Sequence, residues 1–520
     1  MRFKVVSGGW PTTDVPNRAF LTLSSWDDWF RFQTRFNLWY VDDDLQLIDI
    51  GGVKIGQFGM DGRGRDAESK LLPRTVGDGE RIPAVPKNFQ SLGEDFFSLG
   101  QSPDYYETLN TLGTRGAEIR AALRDIVTDN QLYDRALEED VTGVSLMRSV
   151  PSATIEGQFR RIVAGGKRLE SFSFAYHYPQ SPAGVAAELT FSVEPGSYPP
   201  TNVHAIIGRN GVGKTFLLEN LSRCLVVEDP DADAVGDVVV TSSLKFANLV
   251  SVTFSAFDSF QPLATKRNRA SGLTYTYIGL KRTSSKAGTT PLPPKAPQTL
   301  AKEFGASVRA CALDERVESW RKALQTLATD PIFKSAGVDE LLNSRDEELF
   351  EQARTLFRNL SSGHKIVLLT VTRLVEVVEE RSLVLIDEPE AHLHPPLLAA
   401  FVRALSDLLI DRNGVAVVTT HSPVVLQEVP MSCAWIVSRH GRNVTTRRPD
   451  IETFGENVGI LTHQVFGLEV TRSGFHHMLY TEAERLGSWD ALLERFGGQL
   501  GSEAAAIARS ILLTKSLEED

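Results

Sequence analysis

An α/β fold is the class this sequence predicts, on three observations. The apolar run VHAII is followed by a glycine-rich loop, Gly208-Arg209-Asn210-Gly211-Val212-Gly213-Lys214-Thr215, and then by the amphipathic run FLLENLSRCL, so strand, loop and helix succeed one another. A second apolar run, Leu383–Ile386, ends on the paired carboxylates Asp387 and Glu388. The final third of the chain then alternates helical and buried-strand patterns, the mark of a largely parallel sheet flanked by helices.

Composition bounds the rest. The chain has 520 residues, with 42% apolar and 23% charged, which fits two or three folded units and excludes collagen-like or wholly disordered classes. A net charge of −11 excludes a protein coated in basic charge, though not a local basic patch. Cys224, Cys311 and Cys433 are too far apart for a CxxC zinc site or a disulfide framework, so a reducing cytoplasm is expected. The start MRFKVVSGGW has no signal-peptide core, and no run approaches the roughly 20 apolar residues of a membrane span, so no membrane role is expected.

Three regions follow along the chain. Residues 1–165 form an N-terminal α+β region. In it FLTLSSWDDWFRF and LQLIDIGGVKIGQF pattern as strands, residues 61–100 as Gly- and Pro-rich loops, and Tyr105 to about Ala164 as helix. Residues 166–440 form the nucleotide core, opening with the strand patterns SFSFAYHYP and AELTFSVEPG. Within it, residues 259–302 carry eight Lys or Arg and no Asp or Glu, a basic insertion, and about 306–360 is helical. Residues 441–520 form a short C-terminal extension, either a partner-docking element or a loop packed on the core.

The chemistry concentrates in four motifs. In the glycine-rich loop, Gly208, Asn210, Gly211 and Gly213 let the backbone wrap a phosphate against a helix N-terminus that continues through Phe216. Lys214 reaches the β- and γ-phosphates, and the Thr215 hydroxyl binds Mg²⁺. Asp387 completes the Mg²⁺ site and Glu388 is the general base toward water. Leu360-Ser361-Ser362-Gly363-His364-Lys365 opens the apolar helix HKIVLLTVTRLVEVV. The run Val415–Thr420 delivers His421 at its end. Either Asp258 or Gln261, after SVTFSA, lies at the edge of the site. His392 and His394 suggest a metal pair or plain loop packing, with no third ligand apparent.

These four motifs, in this order over roughly residues 170–440, resemble the ABC-type ATPases. The resemblance implies a P-loop NTPase core with a mixed or parallel sheet flanked by helices. It also implies a head-to-tail dimer, with higher oligomers open, in which Ser361 and Gly363 complete an ATP site on the opposite subunit and His421 contacts the γ-phosphate. LSSGH, EAHLHP and the N-terminal region resemble the soluble branch with the SMC, RecF and OLD-family ATPases, and no permease segment supports a transporter motor. About 145 residues between phosphate loop and signature exclude a long coiled coil, and only about 80 residues follow Val437, without a DxD cluster, so intrinsic nuclease activity is not expected.

Several segments, among them SVTFSAFDSF, DEPEAHLHPP and ETFGENVGILTHQVFGLEV, are similar to the ATPase component of the Septu anti-phage systems and their relatives in retron cassettes. That likeness implies a regulatory ATPase of a prokaryotic defence complex, controlling a separate HNH nuclease through its nucleotide state. Two alternatives stay open: a repair or recombination ATPase that binds DNA directly, and a scaffold of the PARIS type that sequesters a toxin. The basic 259–302 segment is the candidate nucleic-acid contact or a solvated loop, and Tyr275 and Tyr277 are stacking platforms or strand residues.

Overall fold

The structure, a computed structural model, describes residues 1–6, 11–24, 31–60, 81–179, 187–227, 230–240, 246–254, 262–263, 273–283, 293–312, 316–343, 346–441, 443–467 and 474–519. Asp258, Gln261 and residues 259–261, 264–272 and 284–292 of the basic insertion lie outside these residues.

The N-terminal lobe is built on six strands in the order Asn88–Phe89, Arg2–Val6, Arg18–Leu23, Arg35–Val41, Leu47–Gln57 and Phe96–Gly100. Helices Pro103–Thr111, Thr114–Ala122 and Asn130–Leu137 follow. The Ser102 and Asp129 side chains cap the first and third of these by accepting the Tyr105 and Leu132 N–H groups. One core, from Phe3 to Ile162, gathers sheet and helices. Residues 61–100 were expected as loops, and Phe96–Gly100 corrects that expectation. All five residues of FFSLG are buried, so the run has no polar alternation to announce a strand.

The second unit is a seven-stranded sheet in the order Thr274–Gly279, Asn248–Thr253, Ser382–Asp387, Val415–Thr420, Val203–Ile207, Ala434–His440 and Asn443–Arg447. The first six strands are mutually parallel, and only the last hairpin is antiparallel. Strands such as LVLID and VAVVTT are buried along their whole length because both faces of the sheet are covered. One face packs under helices Pro297–Cys311, Arg316–Leu327, Ser362–Val377 and Pro395–Ile410. The other packs against helix Lys214–Val226 and a three-stranded sheet of Asp237–Val240, Phe172–His177 and Glu188–Val193.

One open alternative is settled by this sheet. Tyr275 is fully buried and Tyr277 nearly so, on the edge strand, so they are core residues and not stacking platforms. The basic insertion therefore contributes a structural strand. The C-terminal extension opens with the edge strand Asn443–Arg447 of this sheet and continues as helices Val458–Phe466, Gly474–Leu486, Trp489–Arg495 and Ser502–Glu519, the last three sharing a small core of their own.

Glu380 joins the two units. Its carboxylate, 1% exposed, accepts from the Gln158 N–H at 2.8 Å and from Arg161 at 3.0 Å, two residues before the strand that carries Asp387. No helix among the described residues is long and apolar enough to cross a membrane.

Candidate functional site

The parallel strands end on one edge, and the order of the sheet decides what meets there. Val203–Ile207 runs into the glycine-rich loop, and the strand ending on Asp387 lies two places away with the His421 strand between them. Neighbouring strands sit about 4.8 Å apart, so roughly 10 Å separates phosphate loop from carboxylates, a gap one lysine can span. Crevices at the carboxyl ends of parallel strands are where such sheets hold ligands.

The loop's glycines are fixed by geometry. A Cβ at Gly208 would lie 2.4 Å from the Val437 carbonyl oxygen, and Gly211 and Gly213 take φ of +80° and +98°. Gly213 is the N-cap of Lys214–Val226, so that helix opens directly on the loop. Asn210 and Phe216 are exposed beside it, and Thr215 is half-buried. Lys214 is buried at 4% exposure. Its Nζ donates to the Gly208 and Arg209 carbonyls at 3.0 and 3.1 Å and lies 3.2 Å from Glu388 Oε1.

Glu388 meets the lysine because its backbone turns sharply. It takes φ +43°, ψ +60°, a left-handed conformation that costs a non-glycine residue on the order of 1 kcal/mol. Its N–H donates to the Thr419 carbonyl at 3.0 Å, which holds the turn in place. Asp387, one residue earlier, is buried and accepts the Thr419 hydroxyl at 2.6 Å.

Glu390 was missed by sequence reasoning, as was Asp330 below. Glu390 is buried, and its Oε1 accepts from the Thr420 hydroxyl at 2.7 Å and the His421 N–H at 2.5 Å, with His421 Nδ1 3.0 Å away. It clasps His421, which also lies 3.9 Å from Glu388. The signal was the second carboxylate of Asp-Glu-Pro-Glu.

Ser361 is exposed at the N-cap of Ser362–Val377, and Gly363 is buried below it. A Cβ on Gly363 would stand 2.3 Å from the His392 carbonyl oxygen, so glycine lets the signature helix start close-pack on the turn after the carboxylates. The third partner absent from sequence reasoning for His394 is Asp330, which also touches His364. His392 is exposed and takes no part in that group.

Comparison with known proteins fits this arrangement. Residues 323–427, which hold the signature, the carboxylates and His421, match the model of an AAA domain described as putative AbiEii toxin, Type IV TA system. Over 547 aligned positions, covering 99% of both chains, the sequence is 38% identical to protein ea59 of Escherichia phage lambda. The chain belongs to the family of phage lambda ea59.

Solved structures similar to it include an ATP-binding cassette of an ABC transporter in its ADP conformation, at 12% identity, covering 59% of this chain and 100% of that one, TM-score 0.30. An inward-facing metal-chelate type ABC transporter matches at 16% identity, covering 57% and 89%, TM-score 0.29. The strand order and the phosphate loop define an α/β core of P-loop NTPase type, and residues 323–427 of that core match an AAA domain.

Proposed function

We propose that this member of the ea59 family is a Mg²⁺-dependent ATPase whose nucleotide state governs a partner effector. The observation that carries the reading is the convergence of Lys214, Asp387, Glu388 and His421 from three strand ends, with Lys214 Nζ 3.2 Å from Glu388. Phosphate oxygens would compete with Glu388 and the two loop carbonyls for the lysine. Released from it, Glu388 is placed to accept a proton from the attacking water. His421, oriented by Glu390, is the group that senses the γ-phosphate.

The Thr215 hydroxyl and the Asp387 carboxylate form an all-oxygen donor pair that suits a hard ion, so they would hold Mg²⁺. The ion supplies charge neutralisation on the phosphate oxygens when bound. Ser361 and Gly363 would complete the site of a second copy in a head-to-tail dimer, since the exposed start of a helix offers N–H groups to a phosphate.

The effector proposed is a nuclease of HNH type, within a cytoplasmic anti-phage complex. The segment similarities to Septu ATPases support it, and so does a family with a phage-encoded member, which fits a complex that one phage genome turns against another. The C-terminal segment offers a docking face: Phe454, Ile460, Phe475, Met478 and Tyr480 are all exposed. A second reading, a scaffold that restrains a toxin, is favoured by the toxin wording of the matched domain. Direct DNA action loses the support of Tyr275 and Tyr277, which are buried.

Purification of the chain with its operon neighbours in ATP, read by native mass spectrometry, tests this. A nuclease in fixed ratio is the expected result. A stable non-nuclease partner would favour the toxin scaffold, and a chain that retains only DNA would overturn the regulatory reading.

A further inference from the structure

Three helices begin at one corner of the core. Asp330 caps Pro331–Ser335, Ser361 caps Ser362–Val377 and His394 caps Pro395–Ile410. Between them His364 is buried, at 4% exposure, in the first turn of the middle helix. Its Nδ1 lies 2.6 Å from Ser361 Oγ and its Nε2 lies 3.3 Å from Asp330 Oδ1. His394 Nε2 lies 3.4 Å from Asp330 Oδ2, and the Phe333 ring packs edge-on against His364 at 4.9 Å.

Two imidazoles and a carboxylate with ligand atoms within 4.8 Å of one another invite a metal. The hydrogen bonds argue otherwise. His394 Nδ1 accepts the Leu397 N–H at 3.4 Å, which puts its own proton on Nε2, the atom a metal would need. Three helix N-termini also bring partial positive charge to the corner and oppose a cation.

A chain of hydrogen bonds accounts for the same contacts. Burial alone would raise the Asp330 carboxyl, but the Ile332 N–H and His364 outweigh it and hold it below the usual carboxylate range. An ionised carboxylate only accepts, so His364 Nε2 carries a hydrogen, and in the neutral imidazole Nδ1 is a bare lone pair. Ser361 must then donate its O–H inward to Nδ1. Its outward face presents lone pairs, and a phosphate oxygen needs a donor.

We propose that Asp330 and His364 are positioning residues that switch the signature serine from acceptor to donor. When His364 takes up a proton, Nδ1–H donates to Ser361 Oγ and the hydroxyl hydrogen turns outward to a phosphate oxygen. One proton enters from solvent for each serine engaged and leaves with the phosphate, and no covalent bond to Ser361 is made or broken. Asp330 stabilises the imidazolium. The other titratable groups at hand are His394, which faces the pair from the third helix, and Lys365, next along the same helix. The inference rests on the reading of Ser361 as a ligand to nucleotide on a second copy.

The test measures ATP-dependent self-association by analytical ultracentrifugation from pH 5.5 to 8.5, in the Glu388→Gln background. With the Asp330 carboxylate present, association should weaken by roughly tenfold or more as pH rises across this range. Asp330→Asn keeps a helix-capping side chain. Its amide can donate to Nε2 and leave the hydrogen on Nδ1, so association should become flat with pH and tighter at pH 8. His394→Asn should keep the pH dependence. ATP's own titration is common to every variant and cancels in the comparison. Identical profiles with and without Asp330→Asn overturn the switch while Ser361→Ala still loses association. If Ser361→Ala associates as its background does, the reading of Ser361 itself fails, and the switch with it.

Discussion

The phosphate-loop edge and the signature corner each hold a histidine against a buried carboxylate, and they use the pair in opposite ways. At the first, Glu390 grips Nδ1 of His421, whose side chain is 43% exposed, so the imidazole itself faces outward. At the second, His364 is buried between Asp330 and Ser361, and the group presented to the outside is the serine hydroxyl. The same residue types thus give a site whose imidazole faces outward and a site whose imidazole stays inside, behind a neutral hydroxyl. A carboxylate's burial matters less than what its partner is free to do.

The sharpest way to break this contrast is at the first site. Lys214→Ala should abolish nucleotide binding, because it removes the buried ammonium that lies against the Gly208 and Arg209 carbonyls and Glu388 where the loop meets the carboxylates. Glu388→Gln should retain ATP and lower the hydrolysis rate by roughly 10²–10⁴-fold, the usual worth of a positioned general base. Equilibrium binding of a fluorescent ATP analogue and single-turnover hydrolysis separate the two. Parental turnover in Glu388→Gln would move the base elsewhere on the edge.

The two sites also differ in how far the sequence reveals them. The phosphate loop is legible because backbone geometry demands glycine at neighbouring positions: Gly208 is crowded by Val437, and Gly211 and Gly213 hold positive φ. Asp387 and Glu388 close an apolar run and are equally visible. The signature corner is hidden because its key contact spans 34 residues, and Asp330 before Pro331 looks only like a helix cap. Glu390 is present in the string but its burial and its grip on His421 are not. Phe96–Gly100 escapes for a related reason, since a strand buried on both sides has no alternation.

The next effect in size tests whether the N-terminal lobe and the carboxylate strand are mechanically joined. Glu380→Ala removes the buried acceptor of Arg161 and the Gln158 N–H. Breaking a buried pair costs about 3–5 kcal/mol, and the lower end applies here because Arg161 keeps Glu170 at 2.9 Å. Urea unfolding should show the loss. A variant as stable as its parent would mean that Glu380 does not hold the two units together.

Glu390→Gln is a milder change at the first site. It leaves an acceptor for Thr420 and the His421 N–H but removes the charge facing the imidazole. Charge-assisted hydrogen bonds are about twice as strong as neutral ones, so hydrolysis should fall by roughly tenfold with ATP affinity little changed. A fall in affinity alone would show Glu390 to be a structural clasp for the loop and not a support for His421.

A third buried carboxylate sharpens the comparison, because it has fewer donors than either. Asp125, 1% exposed in the N-terminal lobe, accepts the Val127 N–H at 2.9 Å and the Tyr106 hydroxyl at 3.3 Å, while its second oxygen is buried with no hydrogen-bond partner. Burial outweighs those contacts and pushes its carboxyl up to about 7, from an ordinary value of 3.8. Between these values the folded lobe holds a proton that the unfolded chain has released. Stability therefore falls as pH rises through that window and levels off above it. Asp125→Asn carries no titrating proton and should remove this slope. From pH 4 to 8 the parent should lose stability relative to the variant by at most about 4 kcal/mol. Parallel urea midpoints across that range would mean that Asp125 stays ionised, and that two donors are enough to keep a buried carboxylate charged.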